Sequence, residues 1–207
     1  MTLSRAPIVV QIGFNRCGTL SFHTMMEKSG YSAIHWRDAE ERTLAERMVT
    51  NLSLGRAPFA GYEGIRVFSD MSHLSGRILI EGARYFRALH TAYPDAYFLF
   101  NTRDKRDWLA SRAAHSGGRY LQRCCKLAGV GEAEMIEMWG GYYDRHSSEV
   151  RAYFSEADAR FLEFDLDRDT PERIAEWLSP DFSVDVRQWG HHNRNQQSRN
   201  VREALGL

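Results

Sequence analysis

The apolar positions of this chain fall into short β-branched or aromatic runs separated by helical stripes. Ile8 to Ile12 is a run of the first kind, ending at Gly13, which is the pattern of a strand buried on both faces of a parallel sheet. After Gly18 and Thr19, the spacing of Phe22, Met25 and Met26 predicts a helix that stops at Gly30. A second strand is expected over Tyr31 to His35. Asp38 then caps a helix with Leu44, Ala45, Met48, Val49 and Leu52 on one stripe, closed near Gly55. The pattern repeats as strand Ile65 to Ser69, helix Arg77 to Ala92, strand Tyr97 to Thr102 and helix Asp104 to Ala114. Met135, Trp139, Tyr142, His146, Val150 and Tyr153 keep steps of three and four, giving a long helix with Gly140 and Gly141 as a place to kink. Phe161 to Leu166 reads as a last strand and Pro171 to Leu178 as a short helix, with an irregular tail after Asp181. Such alternation predicts an α/β fold, a parallel sheet with helices on both faces.

A length of 207 residues fits a single domain spanning 1–207. Lysine plus arginine equals aspartate plus glutamate at 27 each, so no global field favours nucleic acid or an acidic membrane, and any anion site is local. The three cysteines are Cys17, Cys124 and Cys125, the last two adjacent, an arrangement that fits free thiols in a reducing cytoplasm. The apolar run near the N-terminus is too short for a signal h-region or a membrane span, so a soluble protein is expected.

The segment Gly13-Phe14-Asn15-Arg16-Cys17-Gly18-Thr19-Leu20-Ser21 sets two glycines five apart between a strand and a helix. That is the context of a phosphate cradle, in which backbone N–H groups converge on an anion and the helix N-terminus adds its dipole. The Thr19 and Ser21 hydroxyls are further donors. The nucleoside-triphosphatase signature demands lysine directly after the second glycine, and Thr19 stands there instead; the cation is Arg16.

With that displaced cation, Gly-Phe-Asn-Arg-Cys-Gly-Thr resembles the 5′-phosphosulfate loop of sulfotransferases, in which the usual cation is lysine. A second element, Phe98-Leu99-Phe100-Asn101-Thr102-Arg103 with Ser111 eight residues on, resembles the family's 3′-phosphate site, although Asp104-Lys105-Arg106 stands where proline is usual. An arginine at the carboxyl end of a parallel strand faces the ligand crevice and matches phosphate bidentately. The resemblance implies a three-layer α/β/α fold of the P-loop nucleotide-hydrolase type and use of 3′-phosphoadenosine 5′-phosphosulfate as co-substrate, bound by Asn15, Arg16, Cys17, Gly18, Thr19, Leu20, Ser21, Arg103 and Ser111. It implies no metal.

Sulfuryl transfer needs a base near the acceptor hydroxyl. Asp70, at the end of the predicted strand Ile65 to Ser69, resembles the aspartate in that place in bacterial sulfotransferase-like proteins. His73 is the alternative, because an imidazole titrates near neutrality and the cytosolic branch uses histidine. Near the C-terminus, Trp189 to Asn195 resembles a loop that closes over the donor, with Asn193 and Arg194 as donor contacts. Arg112, His115, Arg119, Tyr120 and Arg123 read either as a lid over an anionic acceptor or as a solvated helix face. Trp139, Tyr142 and Tyr143 on the long helix read either as lining of an acceptor pocket or as core, and aromatics at helical spacing favour core. Cys17, beside a helix N-terminus, is expected to be acidic and alkylatable, with protection by donor. The acceptor, whether small molecule, glycan or lipid, and the oligomeric state are not legible. Two other readings stay open: an ATP-dependent small-molecule kinase and a non-catalytic nucleotide-binding module.

Overall fold

The computed structural model describes residues 6–190. Five strands form one parallel sheet: β1 (Val9–Gln11), β2 (Ala33–His35), β3 (Val67–Ser69), β6 (Tyr97–Thr102) and β7 (Arg160–Asp165), in the order β2-β3-β1-β6-β7. Two short strands, β4 (Ser72–Leu74) and β5 (Leu79–Glu81), make an antiparallel hairpin outside it. The helices are α1 (Thr19–Lys28), α2 (Leu44–Ser53), α3 (Phe86–Ala92), α4 (Lys105–Ala113), α5 (Arg119–Ala128), α6 (Glu132–Glu156) and α7 (Pro171–Leu178).

Strand periodicity sorts the side chains to the two faces. Val9, Val67, Tyr97 and Leu99 pack with Phe22, Met25 and Met26 of α1 and with Ile174 and Leu178 of α7. Val10, Phe68, Phe98 and Phe100 pack on the other face with Met48 of α2, Leu89 of α3 and Phe154 of α6. Helices thus cover both faces, the expected three-layer α/β/α arrangement. Each fully buried Phe or Met in these layers contributes about 1.5–3 kcal/mol. A third cluster, with Phe14, Trp108, Leu121, Met135 and Trp139, joins α4, α5 and α6 beside the loop that follows β1.

Two expectations fail locally. The stretch Arg77 to Ala92 is not one helix: Leu79 and Ile80 pair with Leu74 and His73 in β5, a 3₁₀ turn follows over Gly82–Tyr85, and only Phe86–Ala92 is α-helical. Gly82 N–H donates to Met71 O at 2.6 Å, and a Cβ at Gly82 would stand 2.7 Å from Met71, so the chain crosses too closely there for a regular helix. The second helix is capped by Thr43, whose Oγ1 accepts from Glu46 N–H, not by Asp38. Asp38 instead accepts from the N–H groups of Glu40 and Arg42 and from Tyr62 Oη, organising the turn before the helix. The long helix α6 runs as one element through Gly140 and Gly141.

The loops after β1 and β6 leave in opposite directions, α1 returning toward β2 and α4 leading toward β7. Adjacent strands that diverge this way leave a crevice at their carboxyl ends.

Candidate active site

The loop after β1 is fixed by its neighbours at every turn. A Cβ at Gly13 would lie 2.1 Å from Asn101 O and 2.3 Å from Asn101 Oδ1, so only glycine lets the loop pass the end of β6. Asn101 then staples the loop at both ends: its Oδ1 accepts from Gly13 N–H at 3.1 Å and its Nδ2 donates to Cys17 O at 2.7 Å. Trp108 Nε1 donates to Asn15 O, Arg112 Nη1 donates to Asn15 Oδ1, and the Phe14 ring stacks on Trp108. Arg16 and Gly18 both have left-handed backbone, φ 71° and 78°, a conformation found where successive N–H groups form an anion-binding concavity. The first turn of α1 holds no acidic residue and no side-chain cap, so its N-terminus stays open toward the same space.

Arg103, at the end of β6, is locked by Tyr143, whose hydroxyl accepts from its N–H at 3.1 Å and donates to its carbonyl at 2.5 Å. Its Nη1 donates to Arg16 O at 3.3 Å. Ser111, two turns along α4, accepts from Arg16 Nε at 3.1 Å. The two elements that the sequence keeps far apart therefore meet in one place, with Asp104 capping the intervening helix. Burial lowers the Arg16 pKa, and the Arg103 guanidinium lowers it further. Two cations drawn together against their own repulsion make a site that an anion would relieve.

Asp70 stands across the cleft at the end of β3, in left-handed backbone with φ 49°. Its side chain is 16% exposed; Oδ1 accepts from Ser72 Oγ at 2.6 Å, and Oδ2 lies 3.8 Å from His35 Nε2. Burial raises its pKa, opposed by the Ser72 hydrogen bond and by His115, Arg112 and Arg16. A carboxyl tuned upward in a cleft is suited to take a proton near neutrality.

The cleft between these walls has a volume of about 1540 Å³ and is lined by Asn15, Arg16, Gly18, Thr19, Leu20, Ser21, Asp70, Arg103 and Ser111 among the residues expected there. His73 is not in it: the imidazole turns away, Nδ1 hydrogen-bonded to Thr43 Oγ1 at 2.8 Å. Cys17, expected to bind the donor, does not line the cleft: its carbonyl accepts from Asn101. Its thiol is buried and pushed up to about 12 by that burial, so the expected acidic, alkylatable cysteine is corrected: desolvation outweighs the helix N-terminus. The Ser21 hydroxyl donates to Gly190 O at 2.5 Å. Asn193 and Arg194 lie outside the described residues. Arg112 is no lid residue: it is 2% exposed, ion-paired with Glu81, hydrogen-bonded to Tyr120 Oη and ringed by Trp108 and Trp139. His115, Arg119, Tyr120 and Arg123 do line the cleft.

A family model for the sulfotransferase domain matches residues 8–128. The chain belongs to the sulfotransferase family. The matched span holds the whole loop from Gly13 to Ser21, Asp70, Arg103 and Ser111, so every wall of the cleft, apart from the segments from Leu166 onward, lies within the matched residues. The protein is accordingly a transferase enzyme. No curated protein matches the chain. Among the described residues, no helix is long and apolar enough to cross a membrane, and no group of three or more His, Cys, Asp or Glu could hold a metal ion.

Three residues of this sulfotransferase cleft carry no signal in the sequence. Asn101 is one polar residue in an apolar strand, His35 a lone histidine at a strand end, and Tyr143 a core aromatic whose hydroxyl alone matters.

Proposed function

We propose that the protein, with 1–207 as a single domain, transfers the sulfuryl group of 3′-phosphoadenosine 5′-phosphosulfate to an acceptor hydroxyl or amine by in-line displacement, without a covalent enzyme intermediate. The observation that carries this reading is the meeting of Arg16 with Ser111 at 3.1 Å and of Arg103 with the Arg16 carbonyl at 3.3 Å. That pairing joins a 5′-phosphate cradle to a 3′-phosphate site, as a nucleotide phosphorylated at both ends requires.

In this mechanism the loop N–H groups, the N-terminus of α1 and Thr19 hold the 5′-phosphate. Arg103 and Ser111 orient the donor through its 3′-phosphate. Arg16 keeps its full positive charge and neutralises the negative charge that builds on the bridging oxygen as the sulfur–oxygen bond breaks. Asp70 takes the proton from the acceptor hydroxyl as its oxygen attacks sulfur. Burial raises the pKa of Asp70 toward the working pH, which strengthens it as a proton acceptor. The kinase reading lacks the lysine that its phosphate loop needs, since Thr19 stands in that place. The acceptor is a small molecule or the hydroxyl of a glycan or lipid, and the free thiols suit a reducing cytoplasm.

Asp70→Asn tests the assignment. It is expected to lower sulfuryl transfer about 10²–10⁴-fold while leaving binding of adenosine 3′,5′-bisphosphate intact. Unchanged transfer would remove Asp70 as base, and an absence of transfer in the wild type toward any hydroxyl compound would favour the binding-module reading.

A further inference from the structure

His35 closes β2, opposite Ser69 in the parallel register with β3, and Asp70 is the next residue after Ser69. The imidazole therefore lies against the base that the proposed reaction uses, and it lines the same cleft. Its tautomer follows from its partners. Where Ser69 Oγ donates to Ile34 O, at 3.3 Å, it accepts from His35 Nδ1, 3.1 Å away, and Nδ1 then carries the hydrogen. Nε2 is left with a lone pair, and it faces Asp70 Oδ2 at 3.8 Å. The other carboxylate oxygen is taken by the Ser72 hydroxyl.

Resting on the sulfotransferase reading, we propose that His35 is the relay partner of Asp70: the proton released by the acceptor passes to the Asp70 carboxylate and then to Nε2 of His35. The balance closes. The acceptor O–H bond breaks and an O–S bond forms; the S–O bond to the 5′-phosphate breaks with its electron pair on the phosphate. Asp70 returns to its carboxylate form, and His35, which lines the cleft, passes the proton on to water there. His35 acts through Asp70 and so is a positioning residue.

The charges around the pair fit a transient holder. Arg16, Arg112 and His115 surround Asp70 and favour its carboxylate form once the proton has moved on. From α1, the His23 ring lies 5.2 Å from that of His35, and His23 Nε2 is 3.9 Å from the exposed Glu27. His23 Nδ1 is buried without a hydrogen-bond partner, and burial of His35 itself lowers its pKa to about 4, so the imidazole is neutral and ready to accept at pH 7 and does not retain the proton.

The test reads the ring nitrogens directly. In protein labelled with 15N-histidine at pH 7.5, the wild type is expected to show His35 protonated at Nδ1 and bare at Nε2. Ser69→Ala should shift the ring toward the Nε2–H tautomer, and Asp70→Asn should lower the pH at which His35 protonates, because the neighbouring negative charge is gone. An Nε2–H tautomer in the wild type, or a midpoint unmoved by Asp70→Asn, overturns the proposal. In the turnover arm, His35→Gln keeps a nitrogen near the Nε2 position that cannot accept a proton. It should bind adenosine 3′,5′-bisphosphate with the wild-type Kd and lose about tenfold or more in kcat at unchanged KM. Wild-type kcat in His35→Gln also overturns it. Failure of the wild type to bind the bisphosphate would instead strike the sulfotransferase reading, and the tautomer measurement would stand apart from it.

Discussion

Asn101 offers the most direct probe of how the phosphate loop is held. It is 2% exposed and makes two buried hydrogen bonds, to Gly13 N–H at 3.1 Å and Cys17 O at 2.7 Å. Asn101→Ala removes both and leaves a buried N–H and a buried carbonyl without partners. At about 1–3 kcal/mol for each of the two groups left unsatisfied, the loss of stability comes to about 2–6 kcal/mol. For a chain of this size that lowers Tm by about 4–24 °C. Asn101→Asp is the sharper variant. It still accepts from Gly13 but sets a carboxylate oxygen against the Cys17 carbonyl and puts negative charge under the anion cradle. Urea unfolding at pH 7.5 measures the stability, and titration with adenosine 3′,5′-bisphosphate measures the site. Both variants are expected to be destabilised, with Asn101→Asp losing more affinity than Asn101→Ala. A loss below about 1 kcal/mol in Asn101→Ala would refute the staple, because the loop would then hold its shape without these bonds.

Three further outcomes are expected. Because the native Asp70 carboxyl is raised above its ordinary 3.8, the native state holds that proton more tightly than the unfolded chain, so its contribution turns unfavourable as pH rises through that range. Asp70→Asn, which suits left-handed backbone, should therefore unfold at a higher temperature than wild type at pH 7.5, with the gap closing as pH falls toward 3.8; a less stable variant at pH 7.5 contradicts this. Under native conditions iodoacetamide should label Cys125, which is partly exposed, before Cys17 or Cys124, and peptide mass spectrometry showing Cys17 first would contradict its burial. Arg112→Met should cost about 3–5 kcal/mol by leaving Glu81 beside an apolar pocket, and adding Glu81→Leu should recover part of it; a double variant no better than the single one would mean that the ion pair is not what Arg112 supplies.

The sheet is legible in the sequence because its strands are apolar on both faces and close on residues with a distinct role: Gly13 after β1, Asp70 after β3, Arg103 after β6. The phosphate loop is legible because its glycines answer to backbone needs, close approach at Gly13 and left-handed φ at Gly18. What fails depends on contacts distant in the chain. Leu79 and Ile80 have helical neighbours in sequence, yet pairing with β4 pulls them into a strand. His73 and His35 look alike as lone histidines; β4 turns one toward Thr43, and the register of β2 with β3 turns the other toward Asp70. Arg112 sits in a basic stretch that reads as solvated, and only the packing of α4 against Trp139 and the position of Glu81 bury it. For Cys17 the local cue, a helix N-terminus, is real, but desolvation is the larger effect.

The central claim is that the cleft is built for a nucleotide with phosphates at both the 3′ and 5′ positions. Calorimetric titration of the wild type and Arg103→Ala with adenosine 3′,5′-bisphosphate, 5′-AMP and ATP-magnesium tests it most directly. The account predicts that the wild type binds the bisphosphate well ahead of 5′-AMP and that Arg103→Ala abolishes that preference; equal affinity for the two, or a preference for ATP-magnesium, would contradict it.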